Sequence, residues 1–189
     1  MDPPIQSPAD CEVRSVPRKF KQTVSSQKVM ATIFWDRKGV LLVDYLPKGT
    51  TINAERYCDT LLRLRRAIQN RRRGKLSRGI ILFHDNARPH TAASTQVLLD
   101  SFGWEIFSHP PYSPDLAPSD FHLFPKLKEF LGGIRFAGCD ELQLRVNKWL
   151  QELAADEYNN GLLKLVDRYN KCLNERGDYV EKYTKVPCV

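Results

Sequence analysis

The chain has 189 residues, of which 42% are hydrophobic and 27% charged, a composition that fits one globular domain with its own core. No apolar run approaches the roughly 18 residues of a membrane span, and the opening MDPPIQSPAD lacks the basic and apolar regions of a signal peptide, so the expectation is an intracellular protein. The net charge of +7 is uneven: residues 1–78 hold 17 Lys/Arg against 7 Asp/Glu, whereas residues 79–189 hold 12 against 15. A basic half suits a polyanion partner, with a merely solvated basic surface as the alternative. The five cysteines, Cys11, Cys58, Cys139, Cys172 and Cys188, are odd in number and form no CxxC pair, which predicts free thiols.

Residues 1–27 carry four prolines and almost no apolar periodicity, and read as a tail containing the basic cluster Pro17–Lys21. Lys28 to Asp36 predicts a buried strand, and Val40 to Leu46 a second one across a short turn at Arg37-Lys38-Gly39, an antiparallel hairpin. Thr50-Thr51-Ile52 predicts a short third strand. Asn53 is placed to cap a helix to about Asn70, with Tyr57, Leu61, Leu64 and Ile68 on one face. Its other face and its end carry Arg56, Arg63, Arg66, Arg71, Arg72, Arg73 and Lys75, a density that favours a phosphate-facing surface over a solvated one.

Gly79 to His84 is apolar enough for a central strand covered on both faces. Thr91 to Phe102 predicts a helix and Trp104 to Phe107 a short strand. Ser119 is placed to cap a further helix in which Pro125 forces a kink or a restart, and Gly132-Gly133 ends it. Asp140 and Gln143 make a capping-box pattern for a helix to about Leu153. A last helix spans Tyr158 to Leu173 and stops near Gly177. The order predicts an α/β fold, a mixed sheet flanked by helices.

Three aspartates stand where regular elements begin or end: Asp36, Asp85 and Asp120, the last two separated by 34 residues. Carboxylates that converge require a cation between them, and hard oxygen donors suit Mg²⁺ or Mn²⁺. Neighbouring strand ends, about 4.8 Å apart, are the expected means of bringing Asp36 and Asp85 together.

FWDRKG at 34–39, HDNARPHTA at 84–92 and YSPDLAPSDFHLF at 112–124 together resemble the catalytic domain of the mariner transposases, over about residues 18–183. The resemblance implies a ribonuclease H-like domain over 28–183 between tails at 1–27 and 184–189. It implies a catalytic and metal-binding triad of Asp36, Asp85 and Asp120 holding two Mg²⁺ or Mn²⁺ ions. It further implies cleavage and strand transfer of DNA in the nucleus, by a homodimer and with no membrane partner. Two ions about 4 Å apart can activate water and stabilise a leaving 3′-oxygen. Asp115 falls outside the family's catalytic position and is given a loop role. The helix-turn-helix pair that the family carries ahead of its catalytic part has no counterpart here, which predicts a truncated copy or the catalytic half of a longer product. A SET methyltransferase domain, fused in some members, is also without counterpart.

The DNA-contact candidates are Arg63, Arg66, Arg71, Arg72, Arg73 and Arg88. His84, His90, His109 and His122 match no zinc spacing and read as packing groups or as supports of the acids. Tyr112 is placed either to stack on a base or to pack in the proline loop. Beside the nuclease and strand-transferase reading stand two others: a DNA-binding module that has lost transposition, and a remnant without function.

Overall fold

The computed structural model describes residues 29–178 and residue 180. The tails expected at 1–27 and 184–189, the cluster Pro17–Lys21, Cys11 and Cys188 lie outside the described residues. Cys58, Cys139 and Cys172 are free thiols, all half-buried.

The hairpin forms as β1 (Ala31–Asp36) and β2 (Gly39–Tyr45), paired antiparallel. Its turn closes on Gly39, whose φ of 126° is open to glycine and costly for other residues. The register slips between Phe34 and Trp35: Phe34 faces Leu42 while Trp35 faces Val40, leaving Leu41 as the extra residue of a bulge. The bulge turns Leu41 and Leu42 toward one core and leaves Val40 and Val43 for the other. One face of the hairpin is covered by α1 (Ala54–Arg71), the other by α5 (Cys139–Glu152) and α6 (Ala155–Asn174).

Asn53 caps α1 as expected, its Oδ1 accepting from Arg56 N at 2.8 Å. The expected face, Tyr57, Leu61, Leu64 and Ile68, is buried against Leu41, Ile80, Leu82, Leu99 and Trp104. The third strand expected at Thr50–Ile52 does not form. The N–H and hydroxyl of Thr50 both donate to Pro47 O, at 3.2 and 2.7 Å, which closes a turn instead.

β3 (Ile81–Phe83) pairs in parallel with β4 (Glu105–Phe107). Between them the expected helix is broken into α2 (Arg88–Thr91) and α3 (Ala93–Phe102). Ala92 is extended at the break, and its carbonyl receives the N–H groups of Thr95 and Gln96. The strands are thus mixed in sense, but their hydrogen bonds form two separate pairs, β1 with β2 and β3 with β4. The remaining edges of β1 and β3 face each other across a cleft of about 840 Å³ lined by Ala31–Phe34 on one side and Phe83–Arg88 on the other. β3, expected to be covered on both faces, leaves Ile81 64% exposed.

The helix expected from Ser119 begins as one wide π-helical turn, Ser119–Leu123, and continues as α4 (Phe124–Leu131). Pro125 has no N–H to give, so it sits in the first turn of α4, where none is required. Ser119 caps nothing; its Oγ accepts from Trp35 Nε1 at 3.1 Å and ties the turn to β1. The capping box at Asp140 is likewise absent. α5 starts at Cys139, and Glu141 reaches back to accept from Ala137 N at 2.7 Å. Among the described residues no helix is long and apolar enough to cross a membrane.

Candidate active site

Asp85 follows β3, and Asp120 lies in the first turn of the π-helical segment; both line the cleft between the sheet edges, together with His84, His90 and His109. Asp85 is 63% exposed, and its Oδ1 accepts from Ala87 N at 3.0 Å and lies 2.6 Å from His90 Nδ1. The carboxyl of Asp120 is pushed up from its ordinary value, first by the dehydrating cleft walls and then by the charge of Asp85, against the opposing pull of His109 and Lys128. A carboxyl whose ionisation is opposed by a second acid in the same cleft is one that a bound cation relieves.

Asp36 does not join them. It lies at the turn end of the hairpin, where its Oδ1 accepts from Lys38 N at 2.9 Å. Arg72 grips both carboxylate oxygens, at 2.9 and 3.1 Å, and Lys75 adds a third cationic contact at 3.0 Å. Burial alone raises this carboxyl, but the hydrogen bonds from Arg72 and Lys75 outweigh it and hold the pKa at about 2. Helix α1 measures the separation. Tyr57, in its first turns, touches the rings of His84 and His90 beside Asp85, whereas Arg72, just past its end, holds Asp36. Those fifteen residues at 1.5 Å each put the two groups about 22 Å apart along the helix.

The expected convergence of three acids is therefore corrected to a pair. β1 lines the cleft along Ala31–Phe34, and Asp36 lies beyond that stretch, at the hairpin turn. The signal was present in the turn residues Arg37-Lys38-Gly39, which mark Asp36 as a turn acid. Among the described residues no group of three or more His, Cys, Asp and Glu is arranged to hold a metal.

The basic candidates separate in the same way. Arg63 makes a two-pronged ion pair with buried Asp44, which also accepts from Thr60 at 2.7 Å and pairs with Arg56. Arg72 is taken by Asp36, and Arg71 donates to the carbonyls of Val40 and Leu41 on the hairpin. Arg66, Arg73 and Arg88 are exposed, with Arg88 at the cleft. As DNA contacts, Arg63 and Arg72 are corrected: their guanidinium groups are spent on internal carboxylates.

Of the histidines, His122 packs as expected, 5% exposed with Nε2 2.8 Å from Glu157 O. His84 lies 2.8 Å from the Tyr57 hydroxyl through Nδ1; burial, then the neighbouring His90, lowers its pKa to about 4 against the pull of Asp85. His109 sits edge-on to Phe83, and its backbone carbonyl accepts from Asn86 at 2.7 Å. Asp115 has its loop role: it is buried, its Oδ2 accepts from Val180 N at 2.9 Å, and its carbonyl accepts from Arg168 at 2.9 Å. Tyr112 is 97% exposed, which removes the packing alternative. Tyr57 was legible only as a core residue; its hydroxyl's partner, 27 positions away, left no mark in the helical pattern.

An α/β domain that sets Asp85 after β3 and Asp120 in a helical turn of the same cleft offers two carboxylates to a cation, and comparison with known proteins gives the family. Residues 12–78 match the family model described as Transposase (partial DDE domain). The mariner Mos1 transposase of Drosophila mauritiana is 36% identical over 157 residues, covering 82% of this chain and 46% of that protein. Human histone-lysine N-methyltransferase SETMAR is 35% identical over 167 residues, covering 87% of this chain and 24% of that protein. A solved structure of the Mos1 catalytic domain with raltegravir and Mn superposes with a TM-score of 0.79 at 37% identity, covering 82% of this chain and 78% of that one. A pre-cleavage Mos1 transpososome superposes at 0.79 and 33% identity, covering 96% and 51%. The chain belongs to the mariner transposases, whose ribonuclease H-like catalytic domain it matches. It spans less than half the length of either curated relative.

Proposed function

We propose that the chain is a metal-dependent DNA endonuclease and strand-transferase core, with Asp85 and Asp120 as the ligands of a divalent cation. The observation that carries this reading is the coupled pair itself, two carboxylates in one cleft whose charges oppose each other. The pair fits Mg²⁺ or Mn²⁺, which bind through one or two carboxylates and complete their shell with water and substrate phosphate. Bound there, the cation would polarise the phosphate and lower the pKa of an attacking water or 3′-hydroxyl. Asp85 and Asp120 would hold it, with their own negative charge compensated. Arg88, exposed at the cleft mouth, is placed to take a phosphate of the incoming strand. A second ion, with Asp85 and Asp120 as the cleft's carboxylates among the described residues, would enter with substrate phosphate. Structures of Mos1 with Mn and Mg, with transposon ends and in strand transfer support a DNA substrate and a paired assembly. A DNA substrate in turn favours a nuclear site of action.

Plasmid nicking in Mg²⁺ or Mn²⁺ tests this. Asp85→Ala and Asp120→Asn are each expected to lower the rate by orders of magnitude, as when a catalytic ion is misplaced. Wild-type nicking by Asp85→Ala removes the mechanism. A second reading, DNA binding without cleavage, is favoured by one observation: Asp36 is engaged elsewhere and leaves the cleft two acids. A salt-sensitive gel shift with no nicking in either metal selects it.

A further inference from the structure

We propose that His90 is the positioning residue of the carboxylate pair: it pins Oδ1 of Asp85 so that Oδ2 is the oxygen offered to the cation. This rests on the cation reading of Asp85 and Asp120 given above.

Asp85 has little to steady it on its own. It is 63% exposed, and a short carboxylate turns broadly about its last torsion. Two donors meet on the same oxygen, Ala87 N at 3.0 Å and His90 Nδ1 at 2.6 Å, while Oδ2 has no partner among the described residues. A carboxylate can only accept, so Nδ1 carries the proton of this bond. The Ala87 contact is local to the turn. The His90 contact brings in the rest of the fold, because the ring is held on two sides. It lies parallel to His84, at 5.1 Å and 5°, and against Tyr57, at 4.1 Å between centroids. Tyr57 is 2% exposed within the core of α1, and its hydroxyl lies 2.8 Å from His84 Nδ1. The backbone around His90 is fixed as well. Fully buried Thr95 donates to Pro89 O at 2.7 Å, and Gln96 Nε2 to His90 O at 3.4 Å. A continuous set of contacts thus runs from the hydrophobic core through Tyr57 and His90 to one carboxylate oxygen. Partners that orient a ligand in this way typically contribute 10–100-fold to metal affinity.

The test uses the full chain and Mn²⁺ alone. His90→Ala is expected to weaken Mn²⁺ binding, followed by calorimetry, by about 10–100-fold. His90→Asn keeps an N–H donor near the position of Nδ1 and should recover most of that loss. Tyr57→Phe keeps the ring against His90 and should bind Mn²⁺ nearly as well as wild type. Thermal midpoints measured alongside separate lost positioning from lost folding, since a residue that only packs gives no rescue by Asn. A metal-free measurement stands beside these: ¹⁵N spectra should report a protonated Nδ1 on His90 whose signal moves in Asp85→Ala. Equal Mn²⁺ affinity for His90→Ala and wild type overturns the proposal. So does failure of Asn to rescue at an unchanged midpoint, or an Nδ1 indifferent to Asp85. A wild-type chain that binds no Mn²⁺ while the ¹⁵N signature is present overturns the cation reading instead, and with it the purpose assigned to the pinned oxygen.

Discussion

Asp36 and Asp85 are the same residue type at the ends of two strands, and their surroundings assign them opposite tasks. The oxygens of Asp36 are saturated by Arg72, Lys75 and the Lys38 N–H, while Oδ2 of Asp85 has no partner among the described residues. The folded pKa of Asp36, about 2 against an ordinary 3.8, makes it a stabiliser above about pH 4. That stability is lost as the pH falls from about 4 to 2, because the unfolded chain takes up the proton first. Asp36→Asn should therefore cost about 2 kcal/mol at neutral pH. The difference from wild type should vanish near pH 2, as read from urea unfolding across that range, with metal-dependent nicking retained. Loss of nicking at full stability would return Asp36 to the site. Gly161 makes a second prediction. A Cβ there would lie 2.5 Å from Cδ2 of His122, a buried ring held by Glu157 O at 2.8 Å. Gly161→Ala should cost roughly 1–3 kcal/mol through overpacking. An unchanged thermal midpoint would mean that the ring has room to move.

At the scale of elements, α1 organises the domain. One face seals the core under the hairpin and β3, its first turns steady the Asp85 loop through Tyr57, and its end ties down the hairpin turn through Arg72. Leu61 is fully buried on that face, so Leu61→Ala should destabilise by about 2–5 kcal/mol, measured by denaturant unfolding. The separate strand pairs make a prediction of another kind. Amides of β1 and β3 that point into the cleft have no ladder partner among the described residues, and their hydrogen exchange should outrun that of the paired amides of the same strands by roughly one to two orders of magnitude. Uniform protection along β1 would show that its cleft edge is covered.

Across the whole molecule, charge divides into groups that hold the fold and groups left for a partner. Arg63 and Arg72 neutralise Asp44 and Asp36, and Arg66, Arg73 and Arg88 face solvent. Reversal of Arg66, Arg73 or Arg88 to Glu should weaken DNA binding. The slope of log affinity against log salt should fall by about one for each phosphate that is no longer neutralised. Arg63→Ala should act through stability, because it strips a buried carboxylate of its main partner. A gel-shift series in salt, paired with thermal midpoints, distinguishes the two effects. An unchanged slope for all three exposed arginines would leave the basic face merely solvated.

Local patterns carried much of this protein in the sequence itself. The hairpin, the capped helix with its apolar face at 57, 61, 64 and 68, and the two strands flanking a helical stretch all arise from side-chain periodicity and turn chemistry, which act over a few residues. So does the placement of Asp85 and Asp120 at element ends. What the tertiary structure alone decided is direction and partnership. Both Asp36 and Asp85 end a strand, but β1 and β3 carry them to opposite ends of α1, and no local signal records which way a strand runs relative to one about fifty residues away. The same holds for the arginines: a helical face of positive charge looks uniform in one dimension, and only the return of Asp44 and Asp36 beneath it selects which guanidinium groups are taken. His90 and Tyr57, far apart in the chain, meet beside Asp85 because long-range packing brings together groups that sequence spacing cannot relate.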